Sequence, residues 1–248
     1  MIVLGFDTST PATAVAVRLS DGTVTQMRDD PPAGAHPGHA TRLLDMANEL
    51  LRGAGVAWKQ LDRIAVGLGP GTFTGLRVGV ATARGLAQSL DVELVGVSSL
   101  QALAAGALNA DAESVVLAVI DARRGEAFAA AYATGDHGFM HELASPRAVP
   151  PEELAGVLAE ARQAIGSERP RWLAFGDGAL RFHSELHDAG IATAPVNSPL
   201  HRVSAAYVCE LGMSAPVIGL QQIVPDYRRR PDAELALEGV GTAKSVLR

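Results

Sequence analysis

Val66-Gly67-Leu68-Gly69-Pro70-Gly71-Thr72-Phe73-Thr74-Gly75-Leu76-Arg77 is the stretch that decides how this chain is read. The apolar run Ile64 to Leu68 predicts a strand, followed by a Gly/Pro loop and a helix over Thr74 to Leu90. Glycine opens backbone angles closed to other residues, and Pro70 stiffens the turn. Thr72 and Thr74 are both candidate N-caps. A glycine loop at a helix N-terminus is one way to cradle phosphate. This loop lacks the Gly-Lys-Ser/Thr ending of a Walker loop and does not match the dinucleotide fingerprint.

Upstream, Ile2 to Asp7, Thr13 to Leu19 and Thr23 to Arg28 read as strands, with a hairpin turn at Ser20-Asp21-Gly22. A proline-containing loop over 29–38 leads to a helix from His39 to Arg52. In it Leu43, Leu44, Ala47, Leu50 and Leu51 keep helical spacing, and Gly53 stops it. Downstream come a strand over Val92 to Val97 and a short helix capped by Ser98 or Ser99.

After Asn109-Ala110-Asp111 the order starts again. Val115 to Asp121 and Glu126 to Ala133 read as strands joined by a turn at Arg123-Arg124-Gly125, and Phe139 to Ala144 as a third. A helix opens at Pro150-Pro151-Glu152 and runs to about Ile165, with proline where a helix start tolerates it. A strand over Trp172 to Phe175 enters Gly176-Asp177-Gly178. A helix to His187, a strand over Ile191 to Val196 and a helix over Leu200 to Met213 follow. The order of elements repeats although the sequence does not. The expectation is an α/β protein with two similar lobes, each a mixed sheet flanked by helices, and a cleft between them. The lobes are read as 1–110 and 111–231, the last helix being a candidate to pack back on the first lobe. Residues 232–248 lack periodicity and read as a flexible tail.

Composition narrows the function classes. The chain has 248 residues, 48% hydrophobic and 19% charged, which suits a chain with a sizeable core. A formal charge of −6 argues against a general polyanion binder, so any contact with a nucleic acid, tRNA or DNA, is expected to be carried mostly by another subunit. The single cysteine, Cys209, permits no internal disulfide and no cysteine-based zinc site, and reads as a small buried residue on a helix. The start, Met1 to Asp7, lacks a basic segment and turns polar at once, and no apolar run reaches the ~20 residues of a membrane span. A cytoplasmic protein is expected.

Two lobes opening on Gly5-Phe6-Asp7-Thr8-Ser9 resemble the actin-like ATPase superfamily of sugar kinases and actin. Gly69 to Gly79, Ala83-Arg84-Gly85-Leu86-Ala87 and Gly96-Val97-Ser98-Ser99-Leu100 sharpen this to a resemblance to the bacterial TsaB (YeaZ) family. So do Asp121-Ala122-Arg123-Arg124-Gly125-Glu126 and Pro225-Asp226-Tyr227-Arg228-Arg229, and the likeness runs to about Ala233. It implies a subunit of the machinery that makes N6-threonylcarbamoyladenosine (t6A) in tRNA. Such subunits resemble the transferase TsaD, bind it, and are not themselves the transferase. TsaE is expected to join the complex.

The catalytic paralogue carries a metal-binding His-x-x-x-His where this chain has Ser99 and Leu103; a leucine cannot ligate and a serine does so weakly. His36 and His39 flank Pro37 with no carboxylate at ligand spacing, and His183 and His187 sit among surface-type residues. No metal is expected. The resemblance makes Asp7 the magnesium-side aspartate and Gly176 and Gly178 the adenosine-side glycines of a vestigial nucleotide cleft. Asp7 reads equally as a pairing residue at a strand end. The first hairpin carries Pro11, which has no amide to offer phosphate, and the second carries Arg123-Arg124 in place of glycines. Autonomous nucleotide binding is therefore expected to be weak or absent, and any ATP or ADP to be shared at the junction with TsaD.

Gly75, Gly79, Ala83 and Ala87 recur every four residues on the second helix, and Ala81 and Gly85 form a second short row. Three interior glycines cost ~1 kcal/mol each relative to alanine, so packing must recover that. The stripe either packs on its own sheet or admits a partner helix. The expected partner surface is Leu43, Ala47 and Leu50 with Gly75, Arg77, Gly79, Ala83, Arg84 and Ala87, of about 800 Å² per side. It would serve a homodimer alone and TsaD in the complex. Arg123, Arg124 and Arg228 to Arg230 read as solvated arginines or as contacts to phosphate or a carboxylate. The expected function is a non-catalytic platform for t6A synthesis. A small-molecule kinase and a metallopeptidase-like protein of the same fold are the alternatives.

Overall fold

The computed structural model describes residues 1–32, 34–135, 140–165 and 171–229. The first half holds β1 (Val3–Asp7), β2 (Thr13–Arg18), β3 (Val24–Asp29), α1 (His39–Gly53), β4 (Arg63–Gly69), α2 (Phe73–Leu90), β5 (Glu93–Ser98) and α3 (Ser99–Ala110). The second holds β6 (Val115–Arg123), β7 (Glu126–Thr134), β8 (Met140–Val149), α4 (Leu154–Ile165), β9 (Trp172–Phe175), α5 (Asp177–Arg181), α6 (His183–Asp188), β10 (Ala192–Thr193) and α7 (Ala205–Ser214). The two sheets run β3-β2-β1-β4-β5 and β8-β7-β6-β9-β10, which is the same order twice. In each, the first strand pairs antiparallel with the second and parallel with the fourth.

Both faces of each sheet are covered, so the central strands are nearly continuous apolar runs, with charged residues only at their ends, such as Asp7 and Arg63. Leu4, Phe6, Val15, Ile64 and Val66 face α1 and α2, whereas Val3, Ala14, Ala16 and Ala65 face the middle of the molecule. In the second sheet Val116, Ala118, Ile120, Phe128 and Tyr132 also face the middle. The layer between the sheets is α3 and α7, and each helix crosses over: α7 packs on β1 and β2, and α3 on β6 and β7. Cys209 on α7 is fully buried, and a Cβ on Gly5 would fall 2.5 Å from its sulfur. Burial pushes that thiol up to about 12.

Several boundaries differ from the sequence reading. β8 continues past Pro146 to Val149, because register shifts against β7 absorb the proline. β10 keeps two residues, since Pro195 has no amide with which to extend it. The helix expected to run to His187 breaks at Phe182, which lets Phe182 and Leu186 both reach the second core. The last helix starts at Ala205, and Leu200 lies in a separate 3-10 turn over Pro199–His201. Phe139, Arg230 and the expected tail 232–248 lie outside the described residues.

Candidate functional site: the inter-lobe cleft and the outer face of the first lobe

Asp7 ends β1 at the root of the first hairpin and is 1% exposed. Its Oδ1 accepts the Ser9 amide at 2.8 Å and the Ser9 hydroxyl at 2.6 Å. Its Oδ2 accepts a short hydrogen bond from the Ser99 hydroxyl, which in turn accepts the Gly69 amide at 3.2 Å. The carboxylate is thus consumed inside the first lobe, the pairing role rather than a ligand role. Ser99, fully buried, ties β1 to the glycine loop from the position where a metal ligand would stand.

The glycine run follows from the same packing. Added Cβ atoms would lie 1.9 Å from Asp7 Oδ2 at Gly67 and 2.3 Å from the Ser9 carbonyl at Gly71. At Gly75 the atom would lie 2.0 Å from the Thr8 carbonyl, and at Gly79 2.4 Å from the Thr8 hydroxyl. The loop and α2 lie directly on the first hairpin, with the Thr72 amide donating to Ser9 at 2.7 Å and the Thr8 hydroxyl to Gly75 at 2.7 Å. Two of the loop amides, those of Gly69 and Thr72, are spent on the chain itself. Thr72 is the N-cap by position, but its side chain makes no capping bond.

The expected partner surface needs correction. Leu43, Ala47, Leu50, Gly75, Gly79, Ala83 and Ala87 are all buried within the first lobe, so their row faces the sheet. Helical geometry puts the second row outward: Ala81 and Gly85 are exposed, and a Cβ on Gly85 would meet nothing. Phe73, 40% exposed, continues that row toward the helix start, and Leu44 on α1 is 45% exposed. Arg77 stacks its guanidinium 3.8 Å over the Phe73 ring and donates to the Tyr227 hydroxyl at 3.0 Å. Arg84 bonds Gln221.

The second hairpin has its own aspartates. Asp121 accepts the Arg123 amide and the Arg181 guanidinium, each at 2.8 Å. Asp177 accepts the amides of Asp121 at 3.0 Å and Gly178 at 2.9 Å. Burial raises the Asp177 carboxyl above its ordinary value, and the Asp121 charge adds to this. Gly176 and Gly178 are required by close approach to β6: a Cβ would lie 1.8 Å from the Val119 carbonyl and 2.8 Å from the Ile120 carbonyl carbon, respectively. His201, which the sequence reading did not single out, is 6% exposed and sits beside Gly176. Its Nε2 lies 3.1 Å from the Ala194 and Pro195 carbonyls, and its Nδ1 lies 3.2 Å from the Gly176 amide and 3.1 Å from the Gly176 carbonyl. No pattern marked it in advance, because a lone histidine after a proline carries no spacing signal.

An open cavity of about 370 Å³ lies between the lobes, lined in part by Thr10, Pro11, Asp177, Ser198, His201 and Arg202. The residues present do not fit an adenine nucleotide held by this chain alone. Pro11 stands at the cavity wall without an amide, the Gly176 amide is taken by His201, and Asp7 and Asp121 are already paired. His39 is buried and bonded to Thr13 at 2.9 Å, whereas His36 is exposed, so that pair does not meet. His183 and His187 stack with ring centroids 6.3 Å apart. Among the described residues no three His, Cys, Asp or Glu side chains converge as a metal site, and no helix is long and apolar enough to cross a membrane.

A family model described as TsaD, tRNA N6-adenosine threonylcarbamoyltransferase, matches residues 31–171. The Escherichia coli tRNA threonylcarbamoyladenosine biosynthesis protein TsaB is 30% identical over 241 residues, which is 96% of this chain and 99% of that protein. The chain belongs to the TsaB (YeaZ) family. YeaZ from Pseudomonas aeruginosa superposes with a TM-score of 0.72 at 29% identity, covering 91% of this chain and 99% of that one. A ROK hexokinase from Thermus thermophilus superposes at 0.52 with 15% identity over 86% of this chain and 100% of that one; this likeness concerns the fold alone.

Proposed function

We propose that this TsaB-family chain is the non-catalytic platform of t6A synthesis, binding and activating a TsaD-type transferase. The observation that carries the reading is the state of the cleft: Asp7 is held by Ser9 and Ser99, and Asp121 by Arg123 and Arg181. A kinase needs a free aspartate and an amide-rich hairpin, and a metallopeptidase needs ligands where Ser99 and Leu103 are buried. The partner surface is the outward row of α2, with Ala81 and Gly85 at its centre and Phe73, Arg77 and Leu44 around it. Small side chains there admit a second helix closely, and Arg77 is placed to meet an acidic group across the junction. The same face serves a homodimer in isolation, so the two assemblies exclude each other. An adenine nucleotide, where one binds, is shared at the TsaD junction, and TsaE joins the pair.

The test is reconstitution of t6A synthesis from TsaD, TsaE, the threonylcarbamoyl-adenylate-forming enzyme, ATP and tRNA, with and without this chain. The expected result is product only when the chain is present and none from the chain alone. Equal product in both reactions would reject the reading.

A further inference from the structure

The repeated topology gives the molecule two related crevices. The open cavity lies between the β1–β2 hairpin and the β9–α5 turn. Its counterpart under the internal symmetry lies between the β6–β7 hairpin and the β4–α2 loop. The chain after α7 runs into that second place. Ile223 is fully buried in the first-lobe core, and the Asp226 amide donates to the Leu68 carbonyl at 2.8 Å, at the end of β4. Tyr227 packs on Phe73 with ring centroids 5.2 Å apart and accepts from Arg77. Two residues later the chain has changed lobes: Arg229 bonds Glu126 at 2.9 Å and the Ala122 carbonyl at 2.9 Å, both on the second hairpin.

We propose that Asp226–Arg229 is an intramolecular plug: it fills the second crevice with the chain's own residues and staples the two lobes across it. The asymmetry between one open and one filled crevice is then built into the fold. The plug holds the lobes at a fixed separation and denies the second crevice to a small-molecule substrate. This inference needs no partner and stands apart from the role in t6A synthesis.

Hydrogen exchange on the full chain tests it. Arg229→Ala, and separately Glu126→Ala, are expected to raise exchange ~10-fold or more at both rims, 69–73 and 122–126, while α4 stays unchanged. Arg229→Glu combined with Glu126→Arg is expected to recover part of the protection that each of these two changes alone removes, and not all of it, because a glutamate cannot donate to the Ala122 carbonyl. Faster exchange in residues 224–229 alone, with both rims as protected as in the parent, would overturn the proposal. So would a double variant no better protected than its singles. A variant that loosened α4 as well would mark general unfolding, and Asp226→Pro, which removes the amide bonded to Leu68, then decides the matter by the same two rims.

Discussion

The two lobes share a topology and each roots its first hairpin on an aspartate, yet they neutralise that charge differently. In the first lobe Asp7 is 1% exposed and is satisfied by serine hydroxyls and an amide, with glycines stacked against it. In the second, Asp121 meets two arginines, and one of them, Arg181, is 45% exposed. The first arrangement is a dry, close-packed joint in which every added atom collides. The second is a covered carboxylate, its side chain 8% exposed, held by two arginines that reach into solvent. The lesson is that equivalent aspartates of a repeated fold can be neutralised by packing or by charge, and the two differ in what they contribute to the fold.

The largest effect is expected where the first joint is densest. Gly75→Val would drive a side chain into the Thr8 carbonyl, already 2.0 Å from an ideal Cβ. A loss of about 3 kcal/mol or more is expected in chemical denaturation, because backbone cannot swing aside as a flexible side chain would. Gly85→Leu, ten residues on but facing outward, should leave stability unchanged or slightly raised. If Gly85→Leu nevertheless abolishes homodimer formation and TsaD binding together, the shared-surface reading gains its support. Loss of one assembly alone would reject it.

The next comparison removes one silencing group from each lobe. Ser99→Ala leaves Asp7 Oδ2 and the Gly69 amide buried without that partner, so a loss of about 1–3 kcal/mol is expected. Arg181→Ala strips a half-exposed guanidinium from Asp121, but the carboxylate keeps the Arg123 amide at 2.8 Å and the Arg123 guanidinium at 3.3 Å, so a smaller loss of about 1 kcal/mol is expected. Equal losses in urea midpoints would show that the two hairpins are not silenced by different means.

Most of the architecture was legible because both sheets are buried on both faces, which writes strands as unbroken apolar runs separated by glycine and proline. The misplaced calibration was one of face, not of element. Gly75, Gly79, Ala83 and Ala87 announce a close approach, but spacing alone does not say to what, and the first hairpin claims them. The exposed row was readable only as its complement. Asp7 and Ser99 lie 92 residues apart, so their bond is invisible to any local pattern. The same holds for Pro225 to Arg229, whose motif was plain in the sequence while its passage from the first lobe to the second was not.

The smallest expected effect separates the lobes by pH. Burial lowers the His39 pKa from its ordinary 6.5 in spite of the nearby Asp7 and Asp29 charges. A folded state that resists protonating this imidazole binds fewer protons than the unfolded chain. Its stability contribution is therefore complete above pH 6.5 and falls away as the pH drops toward the lowered folded value. Asp177 has the opposite sign: its raised pKa favours the folded state below the unfolded value of 3.8, and that advantage is lost as pH rises through the folded value. Urea midpoints measured downward from pH 7 should thus fall in a step that His39→Gln flattens, since a glutamine keeps polar atoms near Thr13 without titrating. Asp177→Asn should leave that step in place and instead raise stability near neutrality relative to the parent. A step that survives His39→Gln would assign the acid sensitivity to another group and remove the contrast between the two lobes.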